Sequence, residues 1–343
     1  MKRLRLLAIR LLVAAGLLAL AFLVLVGWWG SGHLVSPERR GLEDYHREIL
    51  SRPADHGLQI EPFAASDGTP GLLVTGSPAP GAARKSRIAR DELGRRHIAV
   101  PDWGEQIGTI VLLYGHNGRK EDQLPICERF CAAGFRCILM DLPGQGDHPG
   151  ATGSFGLREA GGIEGVLNDA ARQFDFPPAP ACLFGVSQGG AIALQAAALA
   201  PGKWKAVASV ATFASLDLPV LRSAQEMVPE DFHFCCPLAA FSVGCGTRLR
   251  AGFWPAEVRP LDAAARLTLP VLIAHGDQDP YIGIEQGRAI FSAVPSKRKQ
   301  FRVVEGADHN RVLSIGSHRL YADFCAFFLA ALNEPATDFE RLE

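Results

Sequence analysis

The sequence predicts an α/β fold in which a mostly parallel sheet carries helices on both of its faces. From residue 109 onwards, short apolar runs alternate with stretches of helix length, which is the pattern of βαβ units. With 343 residues, 48% of them hydrophobic, the chain is long enough to bury a large core. The contents of 36 Gly and 23 Pro are ordinary for this length, which excludes collagen-like and disordered classes.

Each predicted element is defined by its apolar pattern. Six apolar runs predict strands at 109–114, 137–140, 181–186, 206–210, 271–275 and 300–304. The stretches predicted to be helices are 121–133, 159–174, 188–200, 284–293 and the amphipathic segment 316–332. Upstream of them, 58–64 and 71–75 predict a hairpin, because Ser66-Asp67-Gly68-Thr69 between them is a favourable turn sequence.

The first 36 residues predict a membrane helix. They contain no acid and four bases, Lys2, Arg3, Arg5 and Arg10. The 19 apolar residues 11–29 would span roughly 28 Å as a helix, close to the thickness of the hydrocarbon layer. Trp28-Trp29 stands where an interfacial aromatic belt is expected. We therefore expect an uncleaved anchor at 1–36 and a globular domain at 37–343. The alternative is a cleaved signal peptide, for which residues 30–32 (Gly-Ser-Gly) could serve as the cleavage site.

Charge bears on orientation and on partners. The tighter basic cluster precedes the apolar run, which favours a cytoplasmic N-terminus and a body on the non-cytoplasmic side, although Arg39, Arg40 and Arg47 reduce the asymmetry. Without the four N-terminal bases, 31 bases face 36 acids, a charge of −5. A nucleic-acid-binding protein would carry a basic field instead, so that class is excluded.

Three segments interrupt the regular pattern. Residues 37–50 are charged and predict a helical stalk after the membrane helix. Residues 76–108 show little apolar periodicity and predict an irregular excursion over the surface. Residues 211–270 are far longer than one crossover helix requires, and we expect them to form a small helical cap over the sheet.

A nucleophile is predicted at the end of the 181–186 strand. Gly185-Val186-Ser187-Gln188-Gly189 is a G-x-S-x-G pattern with an apolar strand before it and an Ala-rich helix after it. A serine on a sharp strand-to-helix turn needs small neighbours, because the helix packs close to the strand. The same turn directs backbone N–H groups towards a developing oxyanion.

Two later strand ends supply the other members of a triad. His275-Gly276-Asp277-Gln278-Asp279 follows one strand, and Asp308-His309 follows the next. Ser187 as nucleophile, His309 as base and Asp279 as the acid would satisfy the triad arrangement. Asp277 is a rival acid, and His275 is predicted to be structural. His116 and His148 are candidates for the pocket mouth, whereas His318 falls on a predicted helix.

These motifs together resemble the α/β-hydrolase superfamily. The resemblance runs from Thr109 to the C-terminal helix and is nearest to serine esterases and acyl peptidases of the dienelactone hydrolase and prolyl oligopeptidase type. It rests on four stretches: Leu113 to Gly118, Asp141 to Gly146, the Ser187 turn, and the Asp279 and His309 loops. The resemblance places the acid at Asp279 and the oxyanion-hole N–H groups on His116 and Gln188. Tyr114 departs from the histidine usual at its position.

The resemblance implies a serine hydrolase that cleaves a carboxylic ester, of a small molecule or a lipid, through an acyl-enzyme. A peptidase or acyltransferase using the same triad, and a non-catalytic anchored binding protein, remain alternatives. No cofactor is expected, and the ten His show no metal-binding spacing.

Eight cysteines are predicted to be mostly buried free thiols. Cys235, Cys236 and Cys245 form the one cluster in which a disulfide is plausible.

Overall fold

The computed structural model describes residues 2–79, 81 and 83–333, and its strands form one eight-stranded sheet. The strands are β1 Leu58–Ala64, β2 Pro70–Gly76, β3 Gly108–Leu113, β4 Phe135–Met140, β5 Ala181–Val186, β6 Trp204–Val210, β7 Val271–Gly276 and β8 Lys299–Val304. The α-helices are α1 Lys2–Val35, α2 Asp44–Ser51, α3 Arg84–Arg95, α4 Leu124–Ala132, α5 Glu159–Gln173, α6 Gln188–Leu199, α7 Asp217–Glu226, α8 Cys236–Ala251, α9 Pro260–Ala264, α10 Ile284–Ala293 and α11 Val312–Asn333.

The sheet is mostly parallel. Its order is β1-β2-β4-β3-β5-β6-β7-β8, and only the β1–β2 and β2–β4 pairs are antiparallel. Strand β5 lies in the middle, between β3 and β6. The predicted α/β fold, the hairpin and all six later strands are confirmed.

Both faces of the sheet are covered because its central strands are apolar on both sides. In β3, Ile110 and Leu112 belong to one core cluster, whereas Val111 and Leu113 belong to the other. Helices α3, α4 and α11 contribute to the first cluster, and α5, α6, α9 and α10 contribute to the second. The carboxyl ends of the parallel strands therefore meet along one edge between two helical layers, where active groups of such sheets gather.

Two of the irregular segments differ from expectation. Residues 84–95 form α3, whose Ala89 and Leu93 are buried where the helix packs on α4 and α11. Only Ser86, Ala89 and Leu93 of its 12 residues are buried, so its apolar period is hidden among its many charged residues. The helix predicted within 37–50 is present as α2, but it is not a free stalk, because it packs onto the body with His46 and Ile49 buried.

The segment between β6 and β7 is helical, and α8 within it lies along α1. The Ser242 hydroxyl donates to the Leu23 carbonyl at 2.6 Å, and the Arg250 guanidinium lies over the Trp28 ring. The two helices therefore run in the same direction. Their backbones approach closely, since a Cβ at Gly27 would lie 2.5 Å from the Ser242 carbonyl oxygen. Such contacts between small residues let helices pack without intervening side chains.

The two parts of α1 differ in their surroundings. An apolar stretch within Arg5–Val35 is long enough to cross a membrane and is not covered by the rest of the chain. At the other end, Val35 is 1% exposed and packs in a third core cluster with Phe155, Phe213 and Phe253. The helix thus ends inside the globular body.

All eight cysteines are free thiols. Cys127, Cys131, Cys137, Cys182, Cys236 and Cys325 are buried, Cys245 is half-buried and Cys235 is exposed. Burial raises the pKa of the Cys182 and Cys325 thiols to about 12. The prediction of mostly buried thiols is confirmed, and the cluster at residues 235–245 holds no disulfide.

Candidate active site

Ser187 lies on a sharp turn between β5 and α6. Its φ of 53° and ψ of −114° are strained for a residue with a side chain, and the turn is held by a 2.7 Å bond from its N–H to the Val210 carbonyl. Helix α6 begins at once, with the Ala191 N–H bonded to the Ser187 carbonyl. The serine hydroxyl is therefore presented at the carboxyl edge of the sheet, above the helix N-terminus.

The glycines around Ser187 have a steric reason. A Cβ at Gly185 would overlap the backbone of Gly189, and a Cβ at Gly189 would overlap the Leu113 carbonyl of β3. Gly190 has no room either, because the Thr212 and Ser209 hydroxyls occupy that space. The G-x-S-x-G pattern thus serves close packing of α6 on the sheet.

The structure brings Ser187, His309 and Asp279 together in a chain of hydrogen bonds. His309 Nε2 lies 3.1 Å from Ser187 Oγ, and His309 Nδ1 lies 2.7 Å from Asp279 Oδ2. The residues come from the ends of β5, β7 and β8, and they lie 122 and 30 positions apart in the sequence. With Nδ1–H donated to the carboxylate, Nε2 is free to accept the serine proton.

The Asp279 carboxylate is built to stay ionised. Its Oδ1 accepts from the backbone N–H groups of Tyr281 and Ile282, at 3.0 and 2.8 Å. Burial alone would raise the pKa of Asp279, but the His275 and His309 rings and the Ile282 N–H outweigh it. They hold the pKa well below its usual range.

Asp277, the alternative acid, and His275 make hydrogen bonds within the loops instead of bonding His309. Asp277 accepts a 2.7 Å bond from the Gly306 N–H and so ties the β7 loop to the β8 loop. His275 is fully buried, and its Nε2 donates to the Ile282 carbonyl at 2.7 Å. Both therefore hold the loop that carries Asp279.

The loop after β3 passes directly beside Ser187. A Cβ at Gly115 would lie 3.5 Å from Ser187 Cβ, so the loop backbone passes close to the nucleophile at Gly115. His116 is the next residue of this loop. Tyr114 is buried, and its hydroxyl accepts a 2.6 Å bond from the Leu142 N–H. The tyrosine that departs from the family pattern therefore links this loop to the turn after β4.

The remaining sequence candidates lie in different places. His148 bonds Thr69 Oγ1 and the Gly150 N–H, between β2 and the loop after β4, and does not reach the Ser187–His309 pair. His318 is exposed on α11 beside Ser317. Gln188 is buried, and its side-chain Oε1 accepts from Gln145 Nε2 at 3.1 Å.

The sequence did not indicate Phe155 or Leu34 as neighbours of the site. Phe155 stacks on the His116 ring, with centroids 5.5 Å apart. The Leu34 carbonyl lies 2.9 Å from His116 Nε2. These contacts join segments between 39 and 82 residues apart, and no local pattern marks them.

A cavity of about 700 Å³ opens beside these loops. Its walls include Gly115, His116, Val186 and Asn310, which flank the proposed nucleophile and base. The volume is in the range of small-molecule pockets. Within the described residues, no group of three His, Cys, Asp or Glu side chains is arranged to hold a metal ion.

Comparison with known proteins gives one family match over part of the chain. The family described as serine aminopeptidase, S33, matches residues 104–240, which include Ser187 but end before Asp279 and His309. No curated protein matches the sequence.

Solved structures share the fold over most of the chain. An esterase from Pyrococcus furiosus is 11% identical with a TM-score of 0.59, over 88% of this chain and 98% of its own. A membrane phospholipase A described as a bacterial virulence factor is 18% identical with a TM-score of 0.53, over 97% and 100%. A Thermus thermophilus protein is 18% identical with a TM-score of 0.52, over 81% and 99%.

Fold and family match point to one class. The chain has the α/β-hydrolase fold, and its residues 104–240 are similar to a family of serine hydrolases.

Proposed function

We propose that the protein is a serine esterase that cleaves a carboxylic ester through an acyl-enzyme. The observation that carries the proposal is the hydrogen-bonded chain Ser187–His309–Asp279, with its 3.1 Å and 2.7 Å links. Nucleophile and base within hydrogen-bond reach, with the base oriented by a third group, is the arrangement that nucleophilic catalysis requires.

Each residue has one role in the proposed reaction. Ser187 Oγ attacks the acyl carbon while His309 Nε2 takes its proton, and the same proton then goes to the leaving alkoxide. In the second half, His309 activates a water that releases the acid from Ser187. Asp279 orients the imidazole through Nδ1 and stabilises the imidazolium.

The negative oxygen that forms on the acyl carbon needs donors. The backbone N–H groups of His116 and Gln188 are the proposed oxyanion hole, since the first follows Gly115 beside Ser187 and the second opens α6. Removing one such donor costs about a hundred- to a thousandfold in rate.

We further propose a small-molecule or lipid-like ester as substrate and a membrane location. In this proposal, residues 1–36 form a single anchor, 37–343 form the catalytic domain on the non-cytoplasmic side, and about 211–270 form its cap. The apolar surface of α1 supports an anchor. The contact of Gly27 with Ser242 supports retention of the helix, since cleavage at residues 30–32 would remove it. Aromatic side chains such as Phe232, Phe234 and Phe241 expose more than half of their surface.

Labelling with a fluorophosphonate tests the nucleophile. The full chain in detergent should be labelled, and Ser187→Ala should be neither labelled nor active on p-nitrophenyl esters. His309→Ala should lose nearly as much turnover, because triad members act as a unit. Wild-type turnover in either variant would overturn the assignment, and a folded wild type that resists the probe would favour a binding protein.

The family match favours one second candidate, a peptidase on the same triad. The esterase and the peptidase would attack the acyl carbon in the same way, so the leaving group that is expelled faster distinguishes them. Faster turnover of aminoacyl nitroanilides than of p-nitrophenyl esters would select the peptidase.

Intact mass and alkaline extraction of the membrane-expressed protein test the anchor. We expect a full-length chain that stays in the membrane pellet, whereas a shortened, soluble chain would identify a signal peptide.

A further inference from the structure

The end of α1 is bonded by the loops of the candidate active site. The last carbonyl groups of a helix have no partner within the helix. Here the His116 ring donates from Nε2 to the Leu34 carbonyl at 2.9 Å, since a carbonyl oxygen can only accept. The Gly153 N–H, in the loop after β4, donates to the Val35 carbonyl at 2.7 Å.

His116 is also held from a second direction. Its ring stacks on Phe155 with an interplanar angle of 17°, and Phe155 packs edge-on against Phe213. Both phenylalanines belong to the core cluster that contains Val35. The helix end therefore fixes the His116 ring directly, through Leu34, and indirectly, through the cluster in which Val35 packs.

The residues after His116 are bonded by the segment that follows α1. The Arg40 guanidinium donates to the Asn117 carbonyl at 3.4 Å, and the Arg119 guanidinium donates to the Arg40 carbonyl at 2.8 Å. Asn117 has a φ of 59°, so the loop turns sharply at this point. Three contacts, made by His116, Asn117 and Arg119, thus tie the loop after β3 to residues 34–40.

We propose that the C-terminal end of α1 positions the oxyanion loop, and that the His116 side chain is the positioning residue through which it acts. This inference rests on the proposed function. An oxyanion donor is effective only where it lies about 2.7–3.1 Å from the developing charge. The ring that bonds Leu34 and the N–H that would bond the oxyanion belong to the same residue, so holding the ring limits the movement of the donor.

The consequence is that the membrane helix is a part of the catalytic structure as well as an anchor. The carbonyls that satisfy His116 and Gly153 are correctly placed only while α1 is helical to its last turn. A shift of the helix end would reach the β3 loop through the bond of Leu34 to His116, through the stack of His116 on Phe155 and through the bonds of Arg40.

Substitutions of His116 separate the two contacts and leave its backbone N–H in place. His116→Phe keeps an aromatic ring for stacking on Phe155 but cannot donate to Leu34. His116→Gln can donate from its amide but does not stack as a ring does. His318→Phe is the matched control, since His318 is exposed on α11 and, among the described residues, its ring bonds only the neighbouring Ser317.

Steady-state kinetics of the full chain in detergent test the proposal, with thermal unfolding as a check of folding. We expect His116→Phe to lower kcat about ten- to a hundredfold, less than the loss of a whole donor. Its KM should stay within about twofold of wild type, and His116→Gln should recover most of kcat. His318→Phe should behave as wild type.

The outcomes separate this inference from the proposed function. Full turnover in Ser187→Ala would overturn the proposed function itself. If Ser187→Ala is inactive but His116→Phe keeps kcat within about twofold, the positioning role alone is wrong. A rise in KM at unchanged kcat would show that His116 touches substrate instead. An equal loss of kcat in His116→Gln would show that the bond to Leu34 is not what matters.

Discussion

The Tyr114 hydroxyl accepts a hydrogen bond of 2.6 Å from the backbone N–H of Leu142. This bond joins the loop after β3 to the turn after β4, and both partners are fully buried. Burial raises the pKa of Tyr114 well above its usual value, so the phenol stays neutral. The residue that departs from the family pattern thus keeps the neighbouring loops together by a bond of its own.

Tyr114→Phe should destabilise the fold more than it slows catalysis. It leaves a buried N–H without its partner, which costs about 1–3 kcal/mol. Urea unfolding of the full chain in detergent should show this loss, while kcat falls only a fewfold. An unchanged unfolding free energy would mean that Leu142 finds another acceptor.

Asp279→Asn and Asp277→Asn discriminate the triad acid from its neighbour. Asn at position 279 cannot hold the required imidazole tautomer, and kcat should fall about 10⁴-fold. Asn at position 277 can still accept from the Gly306 N–H, so activity should remain near wild type. If Asp277→Asn lowers kcat more than Asp279→Asn does, Asp277 is the triad acid instead.

The Asp279 carboxylate should also make stability depend on pH. Its folded-state pKa lies below the ordinary value of 3.8, so its ionised form stabilises the fold at all pH values above about 3.8. The contribution is lost as pH falls through the folded-state pKa. The difference in unfolding free energy between wild type and Asp279→Asn should therefore be full at pH 7 and shrink below about pH 4. A difference that grows towards acid pH would contradict the depressed pKa.

Gly27→Leu tests the contact between α1 and α8, with Gly16→Leu as its control. A side chain at position 27 would lie 2.5 Å from the Ser242 carbonyl, whereas at position 16 it would meet nothing within 4 Å. Forcing the helices apart should cost about 1–3 kcal/mol. The thermal midpoint in detergent should fall for Gly27→Leu alone. Equal midpoints would show that α1 does not pack on α8.

Thiol titration should distinguish Cys235 from the buried cysteines. Only the thiolate reacts with a disulfide reagent, and burial both blocks access and raises the pKa of Cys182 and Cys325 to about 12. The native protein should therefore react rapidly at Cys235, more slowly at Cys245, and at the other six only after unfolding. If Cys235→Ser loses the rapidly reacting thiol, Cys235 is the reactive cysteine. Two fewer thiols in the denatured, unreduced chain would instead indicate a disulfide.

The proximity of Ser187, His309 and Asp279 was predictable because it follows from local rules. Each residue lies within five residues of the end of a parallel strand, and the carboxyl ends of parallel strands meet at one edge of a sheet. Helix α3 was missed because only a narrow stripe of it, Ser86, Ala89 and Leu93, is buried, where the helix packs on α4 and α11. Most of its other residues carry charges that conceal the period.

The sequence by itself determined the strands of a mostly parallel sheet, the functional loops that follow those strands, the turn at Ser187 and the long apolar helix. These features depend on periodicity and on residues adjacent in the chain. Only the tertiary structure decided that α1 ends in the core at Val35, that its Leu34 carbonyl bonds His116, and that Tyr114 bonds Leu142. The physical reason is that a helix end or a buried hydroxyl must find a hydrogen-bond partner, but composition does not say which distant segment supplies it.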